Sequence, residues 1–277
     1  MSFEPINLAS GAAKVDAVAH VRSFGKPDVS RWRPLELRFE AKDDTAQVEG
    51  ASYFSRATTR CSRLSASAVL GLGFLAMPFA SEQRQVLRSQ RRSLSFEAQK
   101  DAARRLAKRA SAIRYFQASQ RVACYFPNDG EIDPRPLMLR IWALKKECYL
   151  PVLASGHCNY LRFAPVFPQS QFRLNRFDIP EPVIAQNKLI SAAHLDLIFM
   201  PLVGFDLSGN RMGMGGGFYD RSLNFMRHRQ YWKRPYLFGL AHDFQCVDRL
   251  AANSWDVPMQ GVVTDRTAYM TDIKSRR

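Results

Sequence analysis

The stretch Leu195–Arg221, LDLIFMPLVGFDLSGNRMGMGGGFYDR, decides the reading of the fold. Asp196–Met200 is a short continuous apolar run, the pattern of a strand buried on both faces. A short loop, Leu202–Ser208, leads to the segment Gly209–Arg221, and Tyr219–Arg227 has the spacing of a helix. Gly213, Gly215, Gly216 and Gly217 strip side chains from the backbone between the two elements. Successive N–H groups can then face one anion, and a helix start adds its dipole. The segment is not a Walker A loop, because Gly-Lys-Ser/Thr is absent. Nor is it the dinucleotide fingerprint, because Phe218 stands where that motif needs its last glycine. Such glycines more often make a tight turn. Arg211 and Asp220 tilt the reading toward phosphate, the first as a neutralising cation and the second as a magnesium ligand.

Working outward, helices and strands alternate from Ser81 onward. Ser95 is a good N-cap, Glu97 suits the first turn, and Leu106, Ala110 and Ile113 recur at helical spacing, which predicts a helix over 96–119. Arg121–Phe126 reads as a strand. Asp133-Pro134 opens a second helix through Lys146, with Leu137, Ile141 and Leu144 inward. Cys148–Leu153, Pro235–Ala241 and Gly261–Thr264 read as further strands, and Tyr160–Val166 and a segment near Phe172 as an irregular insertion. The alternation predicts an α/β three-layer sandwich, a mainly parallel central sheet flanked by helices. Its binding crevice lies beyond the C-terminal ends of the strands.

Composition narrows the class. With 46% hydrophobic and 23% charged residues over 277 positions, the chain is long enough to bury a full core and is neither low-complexity nor fibrous. Lys and Arg outnumber Asp and Glu by 40 to 25, a formal charge of +15, which calls for a polyanionic partner. The five cysteines are odd in number and lack any C-x-x-C spacing, so a disulfide framework or four-cysteine zinc site is not expected and a reducing compartment fits. Paired-histidine metal spacing is absent too.

The N-terminal part differs. Residues 1–80 hold 10 basic and 8 acidic residues, a net of +2, so the remaining 30 and 17 give residues 81–277 a net of +13. Positions 1–63 show weak periodicity and no motif, which predicts a poorly ordered N-terminal extension over 1–80. Its apolar run Ala66–Ala80 is shorter than the ~20 residues of a spanning helix and contains Gly71, Gly73 and Pro78. It also lies too far along the chain for a cleaved leader. No membrane span is expected. A start of translation at Met77, with the first 76 residues an over-long gene assignment, is the alternative to an extension of unknown role.

Three further segments carry candidate chemistry. Arg84, Arg88, Arg91 and Arg92 fall near i, i+4, i+7 spacing and can present guanidinium forks to a triphosphate, line a nucleic-acid groove or form a solvated basic face. Tyr125–Leu137, YFPNDGEIDPRPL, leaves a strand and turns at Asn128-Asp129-Gly130, placing Glu131 at a sheet edge as a ligand-orienting or helix-capping carboxylate. In Asn253–Asp265, NSWDVPMQGVVTD, Asp256 is a second magnesium ligand or a turn former. His242 and Asp243 can line the same crevice or serve only as structural hydrogen-bonding groups, and Cys246 has no activating neighbours in sequence.

Taken in order, RQVLRSQRRSLS, YFPNDGEIDPRPL, KKECYLPVL, LDLIFMPLVGFDLSGNRMGMGGGFYDRSL, FGLAHDFQCV and WDVPMQGVVTD resemble the 5-formyltetrahydrofolate cyclo-ligases, also called methenyltetrahydrofolate synthetases, over about 84–265. The resemblance implies a C–N bond-forming ligase that converts 5-formyltetrahydrofolate to 5,10-methenyltetrahydrofolate, using ATP and Mg2+ and releasing ADP and phosphate. The formyl oxygen attacks the γ-phosphate, the second folate nitrogen closes the ring, and phosphate leaves. Such chemistry needs positioning and charge neutralisation more than a protein nucleophile.

Position by position, the resemblance implies that Arg211, Met212, Gly213, Met214, Gly215, Gly216, Gly217, Phe218 and Tyr219 bind ATP, with Met214 through Phe218 also bordering the folate. Asp220 and Asp256 bind magnesium, Phe126 and Glu131 contact the pterin end, and Arg211 and Glu131 are the catalytic pair. The family's Lys-x-x-Leu-Arg nucleotide contact matches Arg84-Gln-Val-Leu-Arg88, with arginine for lysine. The distance on to Arg91-Arg92 is about one helical turn shorter than in some members, which leaves either of those as a substitute for Arg84. Some members carry a cation where Met214 or Gly216 stands here, and its loss shifts work onto Arg211 and the N-terminal arginines. The partner expected is 5-formyltetrahydrofolate, with or without a polyglutamate tail, for a monomeric cytoplasmic enzyme with no nucleic-acid partner. Two rival readings remain: a nucleic-acid-binding protein using the basic helix, and an α/β domain that binds a phosphorylated metabolite without turning over ATP. Intact-mass measurement of the native protein decides the N-terminal question: a start at Met77 gives a mass well below 31.5 kDa.

Overall fold

The computed structural model describes residues 80–154, 159–228, 234–251 and 255–271. The extension 1–79, the Met77 start and residues such as Cys158 lie outside these.

Seven strands form the central sheet, in the order β11 (Ala268–Met270), β10 (Gly261–Thr264), β9 (Tyr236–Ala241), β6 (Leu197–Pro201), β1 (Arg121–Ala123), β2 (Glu147–Leu153) and β3 (Leu161–Val166). The five inner strands are parallel, and the two edges, β11 on β10 and β3 on β2, are antiparallel. The sheet is thus the mainly parallel one expected. Its inner strands read as apolar runs because both of their faces are covered.

Alternate residues feed two cores. Val122, Leu197, Phe199, Phe238, Leu240 and Val263 pack on one face against α2 (Phe96–Ala112) and α4 (Arg135–Ala143), through Leu106, Ala110, Leu137 and Ile141. Ala123, Ile198, Met200, Leu237, Ala241 and Val262 pack on the other against Leu223 of α5 (Phe218–Leu223) and the 3-10 turn Ala192–His194. A smaller cluster joins Leu87 of α1 (Ala80–Arg92) to Val203, Met212 and Leu250.

Local chemistry sets most boundaries. Ser95 Oγ accepts from the Ala98 amide at 3.2 Å, so α2 begins where the N-cap predicts. It stops earlier than the expected 119: Ile113 turns extended, and Arg114–Gln117 is a separate turn, α3. Helical spacing continues across the break and buries Phe116, and no Gly or Pro marks it, so periodicity alone runs the two together. Asp133 accepts from the Arg135 amide at 2.9 Å and Pro134 is the N-cap, one residue later than expected. That helix ends at Ala143, and Lys145 takes a positive φ of 55°. Leu144, expected inward, is therefore past the last turn and exposed.

The segment read as a loop, Leu202–Ser208, contains half of a hairpin, β7 (Gly204–Phe205) against β8 (Arg211–Met212). Its turn is held by the buried Asp206, which accepts from the amides of Ser208, Asn210 and Leu250, each at 3.0 Å. The insertion contributes a second small hairpin, β4 (Phe172–Leu174) with β5 (Pro180–Pro182). Among the described residues, no helix is long and apolar enough to cross a membrane.

The topology fixes where a ligand can sit. From β1 the chain moves outward to β2 and β3, then returns to the other flank of β1 with β6. The order reverses between β1 and β6, the place where open α/β sheets form their crevice. Pairing there ends at Ala123↔Ile198, while the Cys124 amide still donates to Tyr149 O at 2.9 Å. Arg121–Phe126, expected as one strand, is therefore strand only to Ala123, and the chain after it leads to one rim of the crevice.

At the far edge, a Cβ on Gly261 would stand 2.3 Å from the Tyr269 carbonyl oxygen and 2.9 Å from the Phe238 ring. Gly261→Ala should cost about 1–3 kcal/mol, as overpacking does. Urea unfolding should show a lower midpoint at an unchanged slope.

Candidate functional site

Two loops face each other across the crevice: Cys124–Glu131, which follows β1, and Leu202–Gly217, which follows β6. Helix α1 is docked on both of them through its arginines. Arg91 is fully buried. Its Nε donates to the Asp129 carbonyl at 2.6 Å, Nη2 to Asp129 Oδ2 at 2.6 Å and to Met214 Sδ at 3.6 Å, and Nη1 to the Leu202 carbonyl at 3.3 Å. One guanidinium thereby ties the β1 loop to the β6 loop.

Asp129 collects two more cations, Arg88 Nε at 2.7 Å and the half-exposed Arg92. Arg84 reaches the other way and donates to the Gly213 carbonyl at 3.0 Å. The four arginines of the sequence motif are thus brought together, but not as a solvated face. Three grip one carboxylate and the fourth touches the glycine loop. Asp129 was not singled out by the sequence. It is a turn residue, its partners stand 37 to 41 positions away, and no local pattern announces the pairing.

The turn carrying it is constrained. Asp129 and Gly130 have φ of 53° and 75°, and a Cβ on Gly130 would lie 2.8 Å from Arg91 O. Only glycine fits that close approach without strain. Gln99 Nε2 of α2 donates to Gly130 O and Arg91 O at 3.1 and 3.2 Å, stitching turn and helix together.

Asp129 and Glu131, two residues apart, have opposite electrostatics. Burial alone would push Asp129 up, but the bonds from Arg88, Arg92 and Arg91 outweigh it and hold its carboxyl well below the usual carboxylate range. Burial pushes Glu131 up to about 7, against the pull of Arg91, whose Nη1 stays 3.9 Å away, and of the Asn128 amide at 3.1 Å. Tyr219 and Tyr125 both lie within reach of the Glu131 charge, and the Tyr125 hydroxyl donates to the Ile132 carbonyl at 2.9 Å. Burial and then the Glu131 charge push both hydroxyls well up, so both are neutral. Phe126 is buried with its ring edge-on to Phe172, centroids 5.1 Å apart. A pair of carboxylates driven apart in acidity within one crevice is a mark of a functional site.

The glycine loop forms the opposite wall. Gly215 and Gly217 have φ of 94° and 63°, and Gly217 caps α5. Nothing lies within 4 Å of where a Cβ on Gly213 or Gly215 would be, so the backbone there borders open space. Met214 is about half exposed and Phe218 partly buried. The helix after the loop has six residues, then passes into a 3-10 turn, Asn224–His228, shorter than the expected Tyr219–Arg227.

Arg211 links both acidic candidates. It is bonded to Asp220 through Nη2 and donates from Nη1 to the Val257 carbonyl at 2.6 Å, next in sequence to Asp256. One guanidinium thus joins Asp220 to the backbone beside Asp256. Among the described residues, no group of three or more His, Cys, Asp or Glu forms a metal cluster. Two carboxylates that leave most of a coordination shell to phosphate oxygens and water suit magnesium rather than a protein-only cage.

The blander candidates resolve as scaffold. Asp243 accepts from Thr264 Oγ1 at 2.7 Å and Tyr269 OH at 3.0 Å. Gln245, which the sequence reading missed, donates to the Leu202 and Val203 carbonyls at 2.9 and 2.8 Å and accepts from the His242 amide at 2.7 Å, fixing the root of the β6 loop. His242 is buried and stacked on Phe244, and burial pushes its pKa down to about 4 despite nearby Asp265. Its Nε2 is a buried side-chain atom with no hydrogen-bond partner.

Comparison with known proteins bears on this geometry. The sequence profile of the 5-formyltetrahydrofolate cyclo-ligase family matches residues 77–265. The chain is 38% identical over 179 residues to the 5-formyltetrahydrofolate cyclo-ligase of Escherichia coli strain K12, covering 65% of this chain and 96% of that protein. It is 35% identical over 185 residues to the Haemophilus influenzae protein of the same name, with the same coverage of each. Among solved structures, Aquifex aeolicus 5,10-methenyltetrahydrofolate synthetase superposes with a TM-score of 0.58 at 29% identity, covering 69% of this chain and 92% of that one. The Mycoplasma pneumoniae synthetase, at 21% identity and a TM-score of 0.52, shares the fold. The profile match spans the whole crevice, from the arginines of α1 to Asp256, and on that match the chain belongs to the 5-formyltetrahydrofolate cyclo-ligase family.

Proposed function

We propose that this protein converts 5-formyltetrahydrofolate, with or without extra glutamyl residues, to 5,10-methenyltetrahydrofolate at the expense of ATP. The observation that carries the reading is the crevice between β1 and β6. It holds a bare glycine loop, cations and an acid of raised pKa on facing walls, the combination that a phosphoryl-activated ring closure needs.

The glycine loop from Arg211 to Tyr219 takes the nucleotide: the open backbone at Gly213 and Gly215 admits phosphate oxygens, and Arg84, Arg88 and Arg211 balance their charge. Asp220 and Asp256 would hold magnesium, which when bound neutralises the phosphates. Asp220, paired with Arg211 here, would serve as a ligand to that ion, and the Arg211 guanidinium would then be available to the transferring group. Phe126 and Glu131 receive the pterin end. With a pKa of about 7, Glu131 both accepts and donates a hydrogen bond near neutral pH and can hold a proton for a reacting nitrogen. Met214 and Phe218 border both ligands, so the formyl oxygen and the γ-phosphate meet at the loop, and the proximity of the two lowers the barrier. The α1 arginines turn toward the crevice, which favours this reading over nucleic-acid binding. A monomer working in the cytoplasm, with no nucleic-acid partner, completes the proposal.

Two tests follow from it. Asp220→Ala and Arg211→Ala should each lower turnover on the order of 10²-fold or more, read as methenyltetrahydrofolate absorbance with 5-formyltetrahydrofolate and MgATP. Near-wild-type rates in both would remove these residues from the site.

The second test uses the raised acidity constant of Glu131. The folded state holds its proton up to pH about 7, whereas the unfolded chain releases it near 4.5. The folded state therefore binds more protons between those values, and this group's contribution to stability falls as pH rises through that window. Glu131→Gln should remove that slope. At pH 8 it should raise stability by about 1 kcal/mol or more, roughly 2–4 °C in Tm, while turnover falls about 10²-fold. A variant that is both less stable at pH 8 and fully active would contradict the assignment.

A further inference from the structure

Arg91 stands between two carboxylates, bonded to Asp129 at 2.6 Å and held 3.9 Å from Glu131. It is fully buried and cannot turn to solvent. Its other partners are carbonyl oxygens and a thioether sulfur, none of which carries charge. A buried guanidinium needs a counter-charge, and among the described residues only these two carboxylates lie within ion-pair distance of it. Asp129 is the one that pairs with it closely, from a left-handed turn position, φ 53°, that aspartate tolerates better than most residues.

We propose that Asp129 is a positioning residue: by gathering Arg88, Arg91 and Arg92 on one carboxylate it keeps Arg91 from closing on Glu131. The Arg–carboxylate pair that would otherwise form at Glu131 is strong and would lock that carboxyl in its anionic form. Asp129 thus keeps Glu131 free to hold a proton. The other groups facing Glu131 do not offer a competing charge. The Asn128 amide is neutral, Tyr125 and Tyr219 are held neutral by burial, and His242, near Gly130 and Arg91, is neutral too. Arg88 and Arg92 share Asp129 with Arg91, so the grip on Arg91 depends on how many cations compete for that one carboxylate.

The kinetic consequence rests on the cyclo-ligase reading, but the structural core of the proposal does not, so the first test uses the free full-length protein. Glutamate carboxyl carbons are labelled with 13C and titrated by NMR, with the Glu131 resonance assigned by its loss in Glu131→Gln. Asp129→Asn keeps the side-chain shape and removes the charge. It should lower the Glu131 midpoint by about one pH unit or more, both because the Asp129 charge that raises it is gone and because Arg91 moves to it. A midpoint within about 0.3 unit of wild type overturns the proposal. Should Asp129→Asn not fold, Arg92→Gln decides: removing an exposed competitor leaves Asp129 more firmly on Arg91, so Glu131 should titrate at or above its wild-type midpoint, and a fall overturns the proposal. In the cyclo-ligase assay, Asp129→Asn should shift the acid limb of the rate profile in the same direction and lower kcat on the order of 10-fold, with Asp129→Glu restoring part of both. A rate loss with an unmoved profile and an unmoved NMR midpoint would mean a purely structural role and would overturn it. If the wild-type protein makes no product, the function fails while the titration still decides the role of Asp129.

Discussion

The buried guanidinium of Arg91 is the constraint on which the site depends. An uncompensated charge in the interior is worth several kcal/mol against folding, so its partners must be supplied together. They come from both sides of the topological reversal: Asp129 from the loop after β1, Leu202 and Met214 from the loop after β6. One side chain of α1 therefore sets the distance between two crevice walls that the sheet itself leaves to diverge after Ala123. Removing the side chain would leave Asp129 with fewer partners and a hole at the base of the crevice. Replacing it by lysine would lose the fork that reaches three directions at once.

Charge in this crevice is distributed by distance rather than by composition. Asp129 and Glu131 share a turn and a neighbour, yet one stays anionic and the other sits near neutrality in its acidity. The decisive difference is 2.6 Å against 3.9 Å to the same guanidinium, together with the two extra arginines on Asp129. At the longer distance the burial cost of the Glu131 charge wins over the attraction. The basic surplus of the chain thereby acts locally: it fixes one carboxylate as a permanent counter-ion and leaves a net positive wall for a polyanion.

Much of the fold is legible because parallel strands buried on both faces must be apolar throughout. LIFM, YLFGLA and GVVT show this with no help from context. The edges are less legible for the same reason in reverse. β5 is Pro-Glu-Pro and β11 has exposed ends, since an edge strand answers to one neighbour and tolerates proline. The β7–β8 hairpin has only two residues a side, too few for periodicity, although Asp206 and Gly209 flank its turn and mark it. In the site, the glycine loop, Arg211 and Asp220 stand out because phosphate chemistry needs them close in sequence. Asp129 and Gln245 do not, because each serves the site by holding backbone or side chains far away in the chain.

These silent residues explain how a reaction with no protein nucleophile can be selective. Two substrates must be brought together, and the protein contributes geometry. Asp206 and Gln245 fix the root of the glycine loop, yet at Gly213 and Gly215 the backbone borders open space. The opposite wall, from Asn128 to Glu131, is tied by Arg91 and Gln99. On the proposed reading, the wall tied by Arg91 and Gln99 would receive the folate and the glycine loop the phosphates. On that reading the side held by more hydrogen bonds would orient the attacking oxygen, and the barer backbone would meet the group whose charge changes as transfer proceeds.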